Sequence, residues 1–308
     1  MQDVIAIVLP VFGLIGIGFA AAKLGLVSVR AGDGLADYVF AIAVPALIFT
    51  MLSEPEASLG ASPWGYWASY FIGAAIAWAI SMLLARRVFQ RDGREAVIHG
   101  FCSAQSNTVL LGIPLILKAY GDAGAVPLFL LLAIHLPLMM GVASLLIEMS
   151  GGESGGLRRF AKTLATHPIV LALVAGVLAH TFGIRVPAFL KPVVDGLAAS
   201  VSPVALVAMG IALARYGFWS DPKTAGVSAA LKLLVHPACV FLLGTFVFQL
   251  DPVFVGVGTL FAALPSGVNG YLIAARYQTG EAFASNAIAF STAFSVITVT
   301  IWLLVLGV

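Results

Sequence analysis

Two short stretches hold the residues best placed to do chemistry: Ser106–Pro114 (SNTVLLGIP) and Pro265–Asn269 (PSGVN). Each sets Pro, Gly and an uncharged amide inside an apolar segment long enough to cross a bilayer. A helical proline removes one hydrogen bond and bends the helix, leaving carbonyls unpaired. Hydrocarbon tolerates freed backbone only where it faces protein or a water-filled cavity. Two such breaks, at corresponding places in two halves of a chain, mark the midplane site of a secondary transporter.

The chemistry that site can do is loose anion binding. A charge at mid-membrane costs roughly 2.5–3.5 kcal/mol even on the lenient insertion scale. No Lys or Arg is expected near either crossing. The available positive groups are therefore half-helix N-termini, starting near Leu115 and Gly270, whose free N–H groups and dipoles point at the crossing. Asn107, Thr108 and Asn269 add neutral donors, and Ser106 and Ser266 can act in the same way. The alternative for these side chains is to cap the broken ends. Gln105 either lines the same cavity or satisfies a neighbouring helix. Gly112, Pro114, Pro265 and Gly267 shape the crossover, the prolines making the breaks without touching substrate.

His135, in LLAIHLPL, is the ionisable group of most interest. It either carries a coupling proton or donates to a carbonyl freed by Pro137. His236, before Pro237, has the same two readings, whereas His99 and His167 fall near span ends. Asp37, Asp195 and Glu148 all lie away from the crossings, which disfavours a cation exchanger. No cofactor or metal is expected. Coupling to H⁺, or to Na⁺ through carbonyls and hydroxyls, stays open. No Walker A, HExxH or GxSxG pattern occurs, so the sequence lacks the usual signatures of ATP-driven transport and hydrolysis.

Long apolar helices must position these residues. The 308 residues are 61% hydrophobic and 10% charged, with a mean hydropathy of +1.05, which excludes an ordinary soluble domain. About 20 apolar residues cross the hydrocarbon core, and ten spans are expected: 4–26, 35–52, 64–86, 96–117, 124–149, 164–183, 193–214, 225–249, 253–275 and 282–307. The first lacks a basic n-region and does not read as a cleavable signal peptide. Short connections leave no room for an appended soluble domain.

With the N-terminus outside, twelve Lys/Arg fall on the inner side (Lys23, Arg30, Arg86, Arg87, Arg91, Arg94, Arg158, Arg159, Lys162, Arg215, Lys223, Arg276). Three fall outside (Lys118, Arg185, Lys191), and Lys232 is expected within a span near its inner end. This is a strong positive-inside bias, and it places both termini outside. The net charge of +2 reflects loops and carries no suggestion of nucleic acid. Cys102 and Cys239 read as packing residues, Trp64, Tyr66 and Trp67 as an interfacial belt, and Gly13, Gly16 and Gly18 as sites of close helix packing.

The halves are 1–150 and 164–308, joined by an inner linker at 151–163. An offset of 158 residues aligns Pro10 with Pro168, Gly18 with Gly176, Gly25 with Gly183, Asp37 with Asp195 and Pro45 with Pro203. At an offset of 157, Gly112 meets Asn269 and Tyr120 meets Tyr277. Five spans per half with opposite insertion predict an inverted repeat, the device behind alternating access.

At QSNTVLLGIPLILKAYG (Gln105–Gly121), PALIF (Pro45–Phe49), KLLVHP (Lys232–Pro237) and LPSGVNGYLIAARY (Leu264–Tyr277) the chain resembles the auxin efflux carrier family in its compact bacterial form, within the superfamily of bile acid, arsenite and riboflavin transporters. The resemblance covers nearly the whole chain. It implies an all-α integral membrane protein of ten helices in two inverted five-helix repeats, with broken fourth and ninth helices crossing near Pro114 and Pro265. It also implies a scaffold of helices 1, 2, 6 and 7, often dimeric, and a moving transport domain of helices 3–5 and 8–10. Members move small organic anions such as auxin, malonate and malate. The short linker departs from plant members, so regulation through a long central loop is not expected. The resulting expectation is a carboxylate carrier of the bacterial inner membrane, homodimeric through its scaffold, working like an elevator. The alternatives are a Na⁺-coupled carrier of bile-acid type and a ligand-binding membrane sensor without flux.

Overall fold

The structure, a computed structural model, describes residues 2–53, 63–150, 168–216 and 220–308. The expected linker at 151–163 lies outside them. Among the described residues the chain is helical, with no strand beyond one isolated antiparallel bridge.

The first half supplies α1 (Gln2–Lys23), α2 (Val29–Ser53), α3 (Trp64–Arg87), α4 (Gly93–Ala104), α5 (Ile113–Tyr120) and α6 (Ala125–Met149). The second supplies α7 (Pro168–Thr181), α8 (Lys191–Leu213), α9 (Pro222–Val247), α10 (Pro252–Ala263), α11 (Asn269–Tyr277) and α12 (Glu281–Leu306). Among the described residues, seven helical stretches are long and apolar enough to cross a membrane, while α7 and α10 are shorter and apolar.

Apolar side chains cover both faces of these helices. On α1, Val4, Ile7, Val11 and Ile15 are buried at helical spacing, while Ile5, Leu9 and Ile17 are exposed. An exposed apolar stripe on an apolar helix is the pattern of a lipid-facing element. Three starts carry a side-chain cap: Ser28 accepts from the Ala31 N–H (3.3 Å), Asp92 from Glu95 (2.8 Å) and Asp251 from Val253 (2.9 Å).

Helix α1 runs along α8, and the Val44–Ser53 part of α2 runs along α7. Glycines permit both contacts. A Cβ on Gly18 would strike the Val207 backbone, and one on Gly176 would come within 2.9 Å of Leu52 Cβ. Gly13 and Gly16 have nothing within 4 Å of a Cβ, so of the three expected packing glycines only Gly18 makes the close contact. A hydroxyl pair, Tyr38 with Ser200 at 2.8 Å, ties α2 to α8.

Three helix prolines follow a wide turn, whereas Pro10, Pro137 and Pro203 lie inside α-helix without one. Wide π turns at Val39–Ala43, Thr108–Gly112 and Leu231–Val235 each end just before Pro45, Pro114 and Pro237. Proline lacks a donor and clashes with the carbonyl four residues back, and a wide turn relieves the clash. The Leu233 carbonyl that Pro237 leaves unpaired accepts from Trp302 Nε1 (3.0 Å).

Candidate functional site

The two breaks meet. Residues Gln105–Asn107 separate α4 from the π turn leading into α5, and Leu264–Val268 separate α10 from α11. Ser106 and Ser266 face each other in the antiparallel bridge, and the Asn107 N–H donates to the Pro265 carbonyl (2.8 Å).

Side chains lock the meeting in both directions. The Ser106 hydroxyl donates to the Phe261 carbonyl (2.8 Å), and the Ser266 hydroxyl to the Cys102 carbonyl. Gln105 donates through Nε2 to the Ser106 carbonyl (2.6 Å) and accepts through Oε1 from the Gly267 N–H (2.9 Å). Its amide is therefore engaged with backbone across the crossing. The Ser266 N–H donates to Ser291 Oγ (3.0 Å). Gly112 and Gly267 are glycines because the opposite break leaves no room: a Cβ would come within 2.7 Å of Leu264 Cδ1 and 2.6 Å of Gln105 Oε1, respectively.

The first break does not fall where its proline stands. Pro114 sits in the first turn of α5, behind the π turn, and the chain is extended at Gln105–Asn107 instead. The second half of this broken element starts at Thr108, earlier than the expected Leu115, while α11 starts at Asn269, close to the expected Gly270. Pro265 does lie within its break.

Neither restarting helix has a side-chain cap hydrogen bond, but the two starts differ: after Asn107 the first N–H to find a backbone acceptor is that of Gly112, bonded to the Asn107 carbonyl (3.0 Å), whereas in α11 the Gly270 and Tyr271 N–H groups already donate to the Gly267 and Val268 carbonyls (3.0 Å each). Asn107 and Thr108 are buried, and Asn107 Nδ2 points at Met209 Sδ of α8 (2.9 Å). Helix α8 packs on this π turn. Asn269 is half-buried at the start of α11, with no hydrogen bond to the other candidate side chains.

His135 is fully buried, and its Nε2 accepts the Ser106 N–H (3.3 Å). This differs from the expected donation to a carbonyl freed by Pro137; the ring instead terminates a backbone donor that the break leaves free. Tyr70 meets His135 and Phe261 edge-on, packs at a tilt against His236 and bonds Ser106 Oγ through its hydroxyl (3.2 Å).

The expectation that no cation stands near the crossing is overturned. Lys232 is fully buried in the π turn of α9, and its ammonium donates to the Ala262 carbonyl, in the last turn of α10 immediately before the break. The signal was present in the sequence, because an ionisable residue inside a span is a functional candidate by default. What placed it at the crossing was the packing of α9 on α10, which sequence spacing does not reveal.

Among the described residues no group of three or more His, Cys, Asp or Glu is arranged to hold a metal. The groups gathered at the crossing are backbone N–H groups and carbonyls, amides, hydroxyls and buried bases.

Residues 3–303 match the family described as membrane transport protein. A Rhizobium meliloti protein named "Putative malonate transporter" is 31% identical over 97% of this chain and 95% of its own length. The Escherichia coli K12 protein named "Uncharacterized transporter YfdV" is 25% identical over 71% of each chain. A mouse protein named "Lysosomal cholesterol signaling protein" is 26% identical over 67% of this chain and 25% of its own length.

Proposed function

The chain belongs to the membrane transport protein family, the auxin efflux carriers, and from that premise we propose that it carries a small organic carboxylate across the bacterial inner membrane by alternating access. It is a transporter and not an enzyme. The observation that carries the substrate class is the half-helix N-terminus at Thr108, whose opening N–H groups have no backbone acceptor before Gly112, with the Asn107 amide beside it. Such groups attract an anion without holding it as a fixed counter-ion would. The name of the Rhizobium relative makes malonate the first compound to test.

We read the architecture as ten spans, with α4–α5 and α10–α11 each forming one broken span, in two inverted repeats with both termini outside. The reciprocal hydrogen bonds of Ser106 and Ser266, and the paired contacts of Gly18 and Gly176, support that reading. Helices α1, α2, α7 and α8 would form the scaffold, through which two copies pair, and the remainder the elevator. The Asn107–Met209 contact then lies on the sliding boundary, where a substrate can be released as the domains move.

The deciding experiment measures thermal stabilisation of purified protein by mono- and dicarboxylates, followed by flux of the hits in proteoliposomes. Ligand that binds the folded state raises its stability by mass action. Stabilisation and flux with malonate support the reading, while stabilisation by neutral or cationic compounds alone defeats the anion assignment. Binding without flux supports a sensor, the second reading, which the likeness to the mouse signalling protein favours.

A further inference from the structure

Behind the crossing, on the side of α3 and α9, lies a group of buried bases that anion binding at Asn107 does not use. Lys232 and His236 stand four residues apart on α9, both fully buried, with Lys232 Nζ 3.4 Å from His236 Nδ1. His236 Nε2 is buried without a hydrogen-bond partner. Lys232 forms no ion pair among the described residues.

The neighbouring elements bring no acid to offset it. From α3 come Tyr66 and Tyr70, from α6 His135, and from α9 itself Cys239, while α10 holds only uncharged side chains. The charged groups of α4, Arg94, Glu95 and His99, lie toward its start, where Arg91 pairs with Asp221 (2.8 Å). Glu281 lies at the beginning of α12.

We infer that Lys232 and His236 form a proton-binding pair, and that the proton held there travels with the anion. The inference rests on the carrier reading above and names its coupling ion. A buried ammonium without a carboxylate is costly. Here the ammonium is held by the carbonyl at the negative end of α10, and a base is placed to receive its proton. In that transfer an N–H bond breaks at Lys232 Nζ and forms at His236 Nδ1, so the pair keeps a single positive charge. Loss of the Nε2 proton from the imidazolium to water leaves the pair neutral. The charged pair offsets a carboxylate at the crossing, and the neutral pair accompanies the empty carrier, so a full charge need not cross the hydrocarbon alone. His135 Nδ1 is likewise buried without a partner, but its Nε2 accepts the Ser106 N–H, so taking up a proton there would break that bond, and His135 is not the carrier.

The test uses malonate in proteoliposomes at fixed external pH, so that the external malonate charge is constant while the internal pH is varied. For a one-to-one symport, each unit of pH gradient raises steady-state accumulation about tenfold. His236→Gln and Lys232→Met should abolish that dependence and the accompanying acidification, and a monodisperse elution with a wild-type-like melt of the unliganded variants shows that they fold. His135→Gln should keep the dependence. Proton coupling that survives in folded His236→Gln overturns the inference, as does wild-type transport that ignores the gradient. If wild type moves no malonate, the malonate reading fails separately. The pair is then judged by acid–base difference titration of purified wild type against His236→Gln and Lys232→Met: a missing titrating proton in the variants supports it, and identical curves overturn it.

Discussion

Ser106 donates its hydroxyl proton to the carbonyl of Phe261 in the opposite broken element, and Ser266 returns the contact to the carbonyl of Cys102. Each serine thus terminates the half-helix that ends at the other break. Phe261 and Cys102 lie in the last turns of α10 and α4, whose final carbonyls have no helical partner. The crossing is held by exchange between the two breaks, and loss of either side exposes a buried carbonyl.

Ser106→Ala and Ser266→Ala should each lower stability by about 1–3 kcal/mol, the cost of a buried acceptor left unpaired. Their effects should be non-additive, because both hold the same junction. Melting temperatures of the single and double variants check this. Simple additivity would mean that the breaks are stabilised independently.

Asn107→Ala removes the amide from the boundary with Met209 while leaving the Asn107 backbone bonds in place. Malonate affinity should fall about tenfold, the worth of one hydrogen bond to a charged group, with little change in the melt of the unliganded protein. Thermal-shift titration reads both quantities. Unaltered affinity would take Asn107 out of the site.

Gly267→Ala places a methyl group 2.6 Å from Gln105 Oε1 and disrupts the bond between that oxygen and the Gly267 N–H. We expect about 1–3 kcal/mol of destabilisation from overpacking, partly relieved in the Gln105→Ala background, where the obstructing amide is gone. Failure of Gln105→Ala to soften the penalty would show that the amide is not what excludes a side chain there.

His135→Ala should destabilise by leaving the Ser106 N–H without an acceptor, at about 1–3 kcal/mol. His135→Gln, which can still offer an acceptor, should recover much of that loss. Equal melts for the two variants would show that the ring acts by its volume and not by its lone pair.

Gly210→Leu should loosen α1 from α8, since even a Cβ at Gly210 would strike the Ile15 backbone. Loss of that close packing should be seen as a lower melting temperature and faster proteolysis. Native-like behaviour would mean that the helices can separate without cost.

The membrane class, the apolar spans and the two interrupted segments were legible in the residues themselves, because hydropathy and the effects of Pro and Gly are local properties. Asn107, Ser106 and Ser266 could be singled out for the same reason: uncharged polar groups at a break in an apolar run have few uses. The exact break was not legible. Proline does not dictate whether the chain opens at itself or relieves its clash upstream through a π turn, and at Pro114 the second route was taken. Gln105 was ambiguous until the opposite break supplied Gly267 as its partner. Lys232 was misplaced by position along its helix, because a charge mid-span is satisfied by whatever element packs beside it. Only the tertiary structure, by laying α9 against the carbonyl end of α10, brought that ammonium to the crossing. Local sequence determined which backbone groups would be freed; long-range packing decided which side chains would meet them.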